Sequence, residues 1–259
     1  MNILVPNEIP HTNSPELAGH RFALKPAQND AALEKPYYRI PHLPGSRMAS
    51  DDRKAKAWQT RICCEQLRDK HDLIVVQEKL DGSCVAVLRS GGEIIPLLRS
   101  GNCAVTSRYE QHRVFHKWVF ENLERFDGLL GENEICVGEW LMQAHGTRYK
   151  LRHEPFVLFD LKSTDGFLTC DALQKRVAPF NFTTPRIVHR GGPIAIENAL
   201  KLLHPSGHGA IGLVEGAIWR VEREAKVDFL AKYVCPKKEI GCFLPERPGQ
   251  RPVWNWRPA

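Results

Sequence analysis

Residues Val75 to Val87 read VVQEKLDGSCVAV. Apolar residues lead up to Lys79, and the Asp81-Gly82 pair that follows is a turn signal between two strand-like runs. DLIVVQEKL and SCVAVLRS are therefore predicted as strands, either a hairpin or two adjacent strands. A lysine acts as a nucleophile only as the free amine, so it must be partly desolvated or sit near positive charge that lowers its pKa. Lys79, at the end of an apolar strand and presented by a sharp turn, meets that need, because a phosphate could reach its amine. Taken alone the pattern is weak, since a surface lysine before a hairpin turn looks the same.

Outward from this stretch, GEIIPLLRSGN continues as strand, and further strands are predicted at EICVGEWLM, PFVLFDLKS, LVEGAIWRV and VDFLAKYVC. RYEQHRVFHKWVFENLERF places Phe115, Trp118, Val119, Asn122 and Phe126 at helical spacing, which predicts one amphipathic helix. Upstream, the prolines and glycine of YYRIPHLPGSRMASDDRK force extended chain and a turn. Ser50 or Asp51 then caps a helix carrying Trp58, Ile62 and Leu67. Shorter helices are predicted in DALQKRVA and in PIAIENALKLL, the latter with Pro193 at its first position. Strands in runs with irregularly interspersed helices indicate an α+β fold of mainly antiparallel sheets, since the regular alternation of a parallel α/β domain is absent. Three regions are expected: a polar arm over 1–34, a domain over 35–240, and a Pro-, Arg- and Trp-rich tail over 241–259.

The chain has 259 residues, 42% of them hydrophobic, enough for a real core. Its formal charge of +6 favours a polyanionic partner such as nucleic acid, and from Arg220 onward there are nine Lys or Arg against five Asp or Glu. The eight cysteines form no CxxC pair, so neither a zinc site nor a disulfide framework is indicated, and a reducing compartment fits. The first residues, MNILVPNEIPHTNSPE, lack the basic segment and long apolar run of a signal peptide, and no apolar stretch approaches membrane-spanning length. A soluble cytoplasmic protein without membrane contact is expected.

Glu139 in CVGEWLM and Glu215 in LVEGAIWR are carboxylates among strand-forming apolar residues, where an unpaired charge is costly. Each needs a cation: a lysine, a phosphate-bound magnesium ion, or an arginine at a strand edge. Phe159 offers a flat face for stacking a purine, although a strand phenylalanine is more often core. Lys232 is a second lysine in an apolar strand, suited to a phosphate and to holding down the pKa of a neighbouring amine. Arg99 lies twenty residues after Lys79, is expected on the same sheet, and can contact a ribose or phosphate, or be a solvated strand-end arginine. In the tail, Arg247, Arg251, Trp254, Trp256 and Arg257 mix cations with stacking surfaces, as single-strand binding favours. The alternative is a tail packed back on the domain.

Taken in order, EKLDGS, RSG, VGEWL, FVLFDL, VEGAIWR and DFLAKYV resemble motifs I, Ia, III, IIIa, IV and V of the covalent nucleotidyltransferases, the superfamily of polynucleotide ligases and mRNA capping enzymes. Within it the resemblance is to the RNA ligase family. IPHLPGSR is also similar to a segment that precedes the lysine in some RNA-ligase-like proteins. The resemblance covers Tyr37 to Lys238. It implies a nucleotidyltransferase (adenylation) domain that uses ATP and magnesium or manganese, joining the 5′-phosphate and 3′-OH ends of RNA in RNA repair. A separate kinase or phosphatase that prepares those ends is compatible with it. Residue by residue, it implies Lys79 as the nucleophile that takes AMP, Glu78 against the adenine, and Arg99 and Glu139 on the ribose. Phe159 would stack on the base, Glu215 assist metal binding, and Lys232 hold the α-phosphate.

Two departures from the family pattern stand out. Motif V usually carries a second lysine two residues on, where this chain has Val234; Lys226, Lys237 or Lys238 are the candidate replacements, or Lys226 is itself the phosphate contact. The chain also ends 27 residues after Lys232, so no oligonucleotide-binding-fold domain is expected. The alternatives are a minimal nucleotidyltransferase that adenylylates or caps a nucleic-acid end without sealing, and a non-catalytic nucleic-acid-binding protein of the same fold.

Overall fold

The computed structural model describes residues 35–239, 241–244 and 251–258. The arm predicted over 1–34 and Arg247 of the tail lie outside the described residues. In chain order the elements are α1 (Ala57–Cys64), β1 (Asp72–Lys79), β2 (Ser83–Ser90), β3 (Glu93–Leu98), α2 (Glu110–Glu121), α3 (Leu123–Leu129), β4 (Ile135–Trp140), β5 (Arg148–Tyr149), β6 (Phe156–Ser163), β7 (Gly166–Phe167), α4 (Cys170–Val177), β8 (Ile187–Gly191), α5 (Ile196–Leu202), β9 (Ala210–Ile211), β10 (Gly216–Arg223) and β11 (Lys226–Val234).

The strands form a four-stranded sheet in the order β11-β10-β1-β8, a five-stranded sheet in the order β3-β2-β4-β6-β7, and the small pair β5-β9. All strand pairings are antiparallel, so the fold is α+β with flanking helices. β1 and β2 are neither a hairpin nor adjacent strands. β1 pairs with β10 and β8, whereas β2 pairs with β3 and β4, so Leu80–Gly82 carries the chain from one sheet to the other. Gly82 is needed at this crossing because a Cβ there would lie 2.5 Å from the Trp140 carbonyl oxygen.

Strand periodicity sorts the side chains into layers. On the four-stranded sheet, Ile74, Val76, Ala217, Trp219, Val221 and Ala231 face outward, where Ile62 and Cys63 of α1 and Ala199 of α5 cover them. On the five-stranded sheet, Val85, Val87, Cys136, Trp140, Phe156 and Leu158 meet α2, α3 and α4 through Phe115, Trp118, Val119, Phe126, Leu129, Leu173 and Val177. The inner faces meet through Ala86, Leu97, Val137, Leu230 and Tyr37. Burying each of these large side chains contributes about 1.5–3 kcal/mol, so the apolar alternation fixes which strand face turns inward. A buried polar cluster also ties the sheets together: Arg220 of β10 donates to Asp160 of β6 at 2.5 Å, and the Tyr37 hydroxyl donates to the other Asp160 oxygen at 2.5 Å.

Several local expectations shift. α1 begins at Ala57 behind Lys56, whose N–H donates to Gln59, and Leu67 lies beyond its end. Asp51 instead pairs with Arg39, which removes it from any cap. The long predicted helix divides at Asn122, whose side-chain amide donates to the Trp118 carbonyl at 2.8 Å and closes α2. Pro193 precedes α5 without entering it, since the helix follows Ala195. Within the described part of the tail, Trp254, Asn255 and Trp256 pack back on the domain. Trp254 and Trp256 are half-buried against the α2–β4 core, and Asn255 donates to the Leu141 carbonyl while accepting from the Tyr149 N–H, each at 2.9 Å. Arg257 lies over the Trp254 ring. No helix among the described residues is long and apolar enough to cross a membrane.

Candidate active site

Between the inner sheet faces lies a cavity of about 580 Å³. Lys79, Gln77, Ile218, Arg220, Leu230 and Lys232 line it from the four-stranded sheet; Cys84, Leu98, Glu139, Phe159 and Asp160 line it from the five-stranded one. The same alternation that buries Ile74 and Val76 under the helices turns Gln77 and Lys79 inward. On β11, Leu230, Lys232 and Val234 share the inward face. Glu215 sits one residue before β10, where Gly216 lets the chain pass close to β11: a Cβ there would lie 1.8 Å from the Tyr233 carbonyl oxygen.

Lys79 Nζ lies 2.5 Å from Glu215 Oε2 and donates to the Leu80 carbonyl at 3.1 Å. Burial pulls the Lys79 amine down, but Glu215 and Glu139 outweigh it and hold its pKa above the ordinary lysine value. Lys79 thus lacks the lowered pKa expected from its place at the end of an apolar strand, because the anion next to it keeps it charged. Glu139 accepts from the Gly82 N–H at 2.9 Å, and burial, eased by Lys79 and reinforced by Glu215, pushes its carboxyl up to about 7. Glu215 is likewise raised, first by burial and against the pull of Lys79. The cation these carboxylates require is Lys79 itself.

Lys232 Nζ stands 3.9 Å from Asp52 Oδ1, and Asp52 Oδ2 lies 3.0 Å from His42 Nε2. Burial, and then the Lys79 ammonium, lower the Lys232 pKa. At the other end of the cavity Phe159 meets Tyr37 edge to face, with ring centroids 5.1 Å apart, and Tyr38 stacks on Tyr37 at 5.1 Å. Arg99 follows β3 and so reaches the cavity wall, exposed, from the five-stranded sheet and not from the sheet of Lys79 as expected, because β1 and β2 pair into different sheets. Glu78 is buried on the opposite strand face, accepting from the Ser206 hydroxyl at 2.5 Å and the Gly207 N–H at 2.8 Å, so its carboxylate braces the 204–208 loop.

The structure thus brings Lys79, Glu139, Phe159, Glu215, Lys232 and Arg99 to one cavity, with Glu78 at its edge. It does not bring Lys226, which is exposed at the far end of β11, about 20 Å from Lys232 along the strand. Lys237 is exposed, and Lys238 is buried with Nζ donating to the Leu213 carbonyl at 2.9 Å; neither lines the cavity. Sequence reasoning missed His42, Arg47 and Asp52, which line the cavity from the chain around IPHLPGSR, and Asp81. Asp81 accepts from the Gly146 N–H and the Thr147 hydroxyl, each at 2.9 Å, and so fixes the turn after Lys79. The signal for Asp81 was the Asp-Gly turn itself.

Among the described residues no group of three or more His, Cys, Asp or Glu could hold a metal ion by itself. Glu139 and Glu215, close enough that the Glu215 charge helps to raise the Glu139 carboxyl, are a hard-oxygen pair that fits a divalent cation shared with substrate phosphates. The cavity can therefore take an aromatic base at one end and a phosphate chain near two lysines.

A protein-family model described as RNA ligase matches residues 72–234. No curated protein matches the chain. Among solved structures, an archaeal ATP-dependent RNA ligase is 18% identical over 63% of this chain and 42% of its own, with a TM-score of 0.43. A Naegleria gruberi RNA ligase bound to AMP and manganese is 16% identical over 76% of this chain and 59% of its own, with a TM-score of 0.48. A putative ATP-dependent DNA ligase from Aquifex aeolicus is 19% identical over 62% and 43%, with a TM-score of 0.39. The chain spans about half the length of these structures.

Proposed function

The chain belongs to the RNA ligase family, and from that premise we propose that it is an ATP-dependent RNA ligase working through a lysyl-AMP intermediate on Lys79. The observation that carries the reading is Lys79 at the edge between two sheets, its amine against Glu215 and beside Glu139, in a cavity that also holds Lys232 and Phe159. This is in-line phosphoryl transfer, in which position and charge neutralisation supply most of the catalysis. Phe159, with Tyr37 behind it, stacks on the base, and Arg99 and Glu139 contact the ribose. Lys232 holds the α-phosphate, and Asp52 keeps the Lys232 amine in place. Glu139 and Glu215 would hold magnesium or manganese, which neutralises phosphate charge when bound. Glu78 acts through the 204–208 loop and positions the cavity edge.

Lys79 loses its ammonium proton, its nitrogen bonds to the α-phosphorus, and pyrophosphate departs. AMP then passes to an RNA 5′-phosphate, and a 3′-OH displaces AMP to seal the strand. Strand repair with ends prepared by a kinase or phosphatase is the setting this chemistry fits. Residues 35–240 are the catalytic unit and 241–259 its tail, of which Trp254, Asn255 and Trp256 pack against it.

The test is incubation of the purified chain with α-labelled ATP and magnesium. Label that survives denaturation and is lost in Lys79→Ala is expected, followed by longer or circular product from 5′-phosphorylated RNA. No adduct with any nucleotide would sink the reading; an adduct yielding only adenylylated or capped ends would replace it with nucleotidyl transfer without sealing.

A further inference from the structure

Lys232 and Val234 both face the cavity from β11, and beside Val234 the fold delivers a cation from far away in sequence. The Leu43 N–H donates to the Lys232 carbonyl at 2.8 Å, and the Arg47 N–H donates to the Val234 carbonyl at 2.9 Å. The Val234 N–H in turn donates to Ser46 Oγ at 2.9 Å. Residues 43–47 are thereby fastened along the outer edge of β11. The half-buried Arg47 lines the cavity, and its Nη1 donates to the Lys238 carbonyl, which fixes the guanidinium while leaving other donors.

The other cavity cations have different engagements. Lys79 is held by Glu215, and the buried Arg220 is locked to Asp160. Lys232 stands next to Asp52, and Arg99 belongs to the facing sheet. A triphosphate entering among Asp52, Asp81, Glu139 and Glu215 needs positive charge where its leaving group gains charge. We propose that Arg47 binds the β- and γ-phosphates of the nucleoside triphosphate and holds the departing pyrophosphate, taking the place that a lysine at Val234 would fill. This rests on the lysine-adenylylation reading. In that step the Lys79 proton goes to water and the P–N bond forms. The bond from the α-phosphorus to its bridging oxygen breaks, and the electron pair leaves with pyrophosphate beside Arg47. A guanidinium suits this role because its planar fork matches two phosphate oxygens at once.

The test titrates inorganic pyrophosphate with magnesium, and AMP as a control, into the wild-type chain, Arg47→Ala and Arg47→Gln. Both variants are expected to weaken pyrophosphate binding at least tenfold and AMP binding less than threefold. Glutamine keeps a donor for the Lys238 carbonyl and removes only the charge, so its loss is not a packing loss. Adenylylation by ATP is expected to fall at least tenfold more than sealing of pre-adenylylated RNA, whose reaction releases no pyrophosphate. Unchanged pyrophosphate affinity in Arg47→Gln, parallel losses for pyrophosphate and AMP, equal falls in the two reactions, or a wild-type chain that does not bind pyrophosphate would each overturn the proposal. Failure of the ligase reading shows separately, as absence of label on Lys79 in the wild type, because the titration requires no covalent step.

Discussion

Lys79 Nζ and Glu215 Oε2 lie 2.5 Å apart across the end of the β1–β10 pairing, and this contact sets the resting charge of the amine. Burial alone would favour the neutral amine, so removing Glu215 reverses the balance. Glu215→Gln is expected to lower the Lys79 pKa and raise its rate of acylation by an amine-specific reagent at about pH 8, read by peptide mapping. The same variant is expected to lose roughly 100-fold in adenylylation, because a carboxylate that neutralises phosphate charge is gone. Faster acylation together with slower adenylylation separates charge control from simple damage; slower acylation would refute the account.

Glu139 gives a pH signature. Its carboxyl is pushed up to about 7 from 4.5 by burial, against the opposing pull of Lys79. Between those values the folded state retains a proton that the unfolded chain has released, so this group makes stability fall as pH rises through the window. Glu139→Gln keeps an oxygen for the Gly82 N–H and removes the titration. The melting temperature of the wild type relative to Glu139→Gln is expected to decline from about pH 5 to about pH 7 and level off above. A flat difference across that range would contradict the burial argument.

The Arg220–Asp160 pair joins the two sheets with both side chains almost fully buried, 2% and 1% exposed. Asp160→Ala strands a buried guanidinium and is expected to cost about 3–5 kcal/mol. Replacing both residues with apolar ones of similar volume is expected to recover most of that loss. Chemical denaturation of the single and double variants checks this, and equal losses in both would show that the pair's charge is not what matters.

Asn255 fastens the tail through three contacts, with its N–H on the Met142 carbonyl at 2.8 Å besides its two side-chain bonds. The segment it grips includes Tyr149, whose hydroxyl receives the Asp81 N–H at 2.9 Å. Asn255→Ala is expected to cost about 1–3 kcal/mol and to slow adenylylation several-fold by loosening the Asp81 turn. Differential scanning fluorimetry and a single-turnover labelling assay measure the two effects; full activity with reduced stability would confine the tail to a structural role.

Much of the site was legible because it rests on local pattern. The alternation in DLIVVQEK and KVDFLAKYV decides both which residues meet the helices and that Lys79 and Lys232 turn inward. What depends on partners distant in the chain was not legible. β8 is an edge strand with no fully buried residue, so its period is faint. The hairpin expectation failed because a turn dipeptide does not say which sheet receives the next strand; Ser83 finds Trp140 instead. Asp51 looks like a helix cap until Arg39 is seen beside it, and nothing local marks Asp52 as the partner of His42 and Lys232. Arg47 was invisible for the same reason, since its neighbour Val234 is remote in sequence.

The link Leu80–Gly82 spans at most about 11 Å when fully extended. Lys79 therefore stands where the covalent chain joins the two layers, while the distal ends of β1 and β2, near Asp72 and Ser90, have no such link between them. The reacting nitrogen and Glu139, whose carboxylate accepts from the Gly82 N–H, thus hang from one short link and share a common anchor, while Arg220 and Asp160 clamp the layers further along β10.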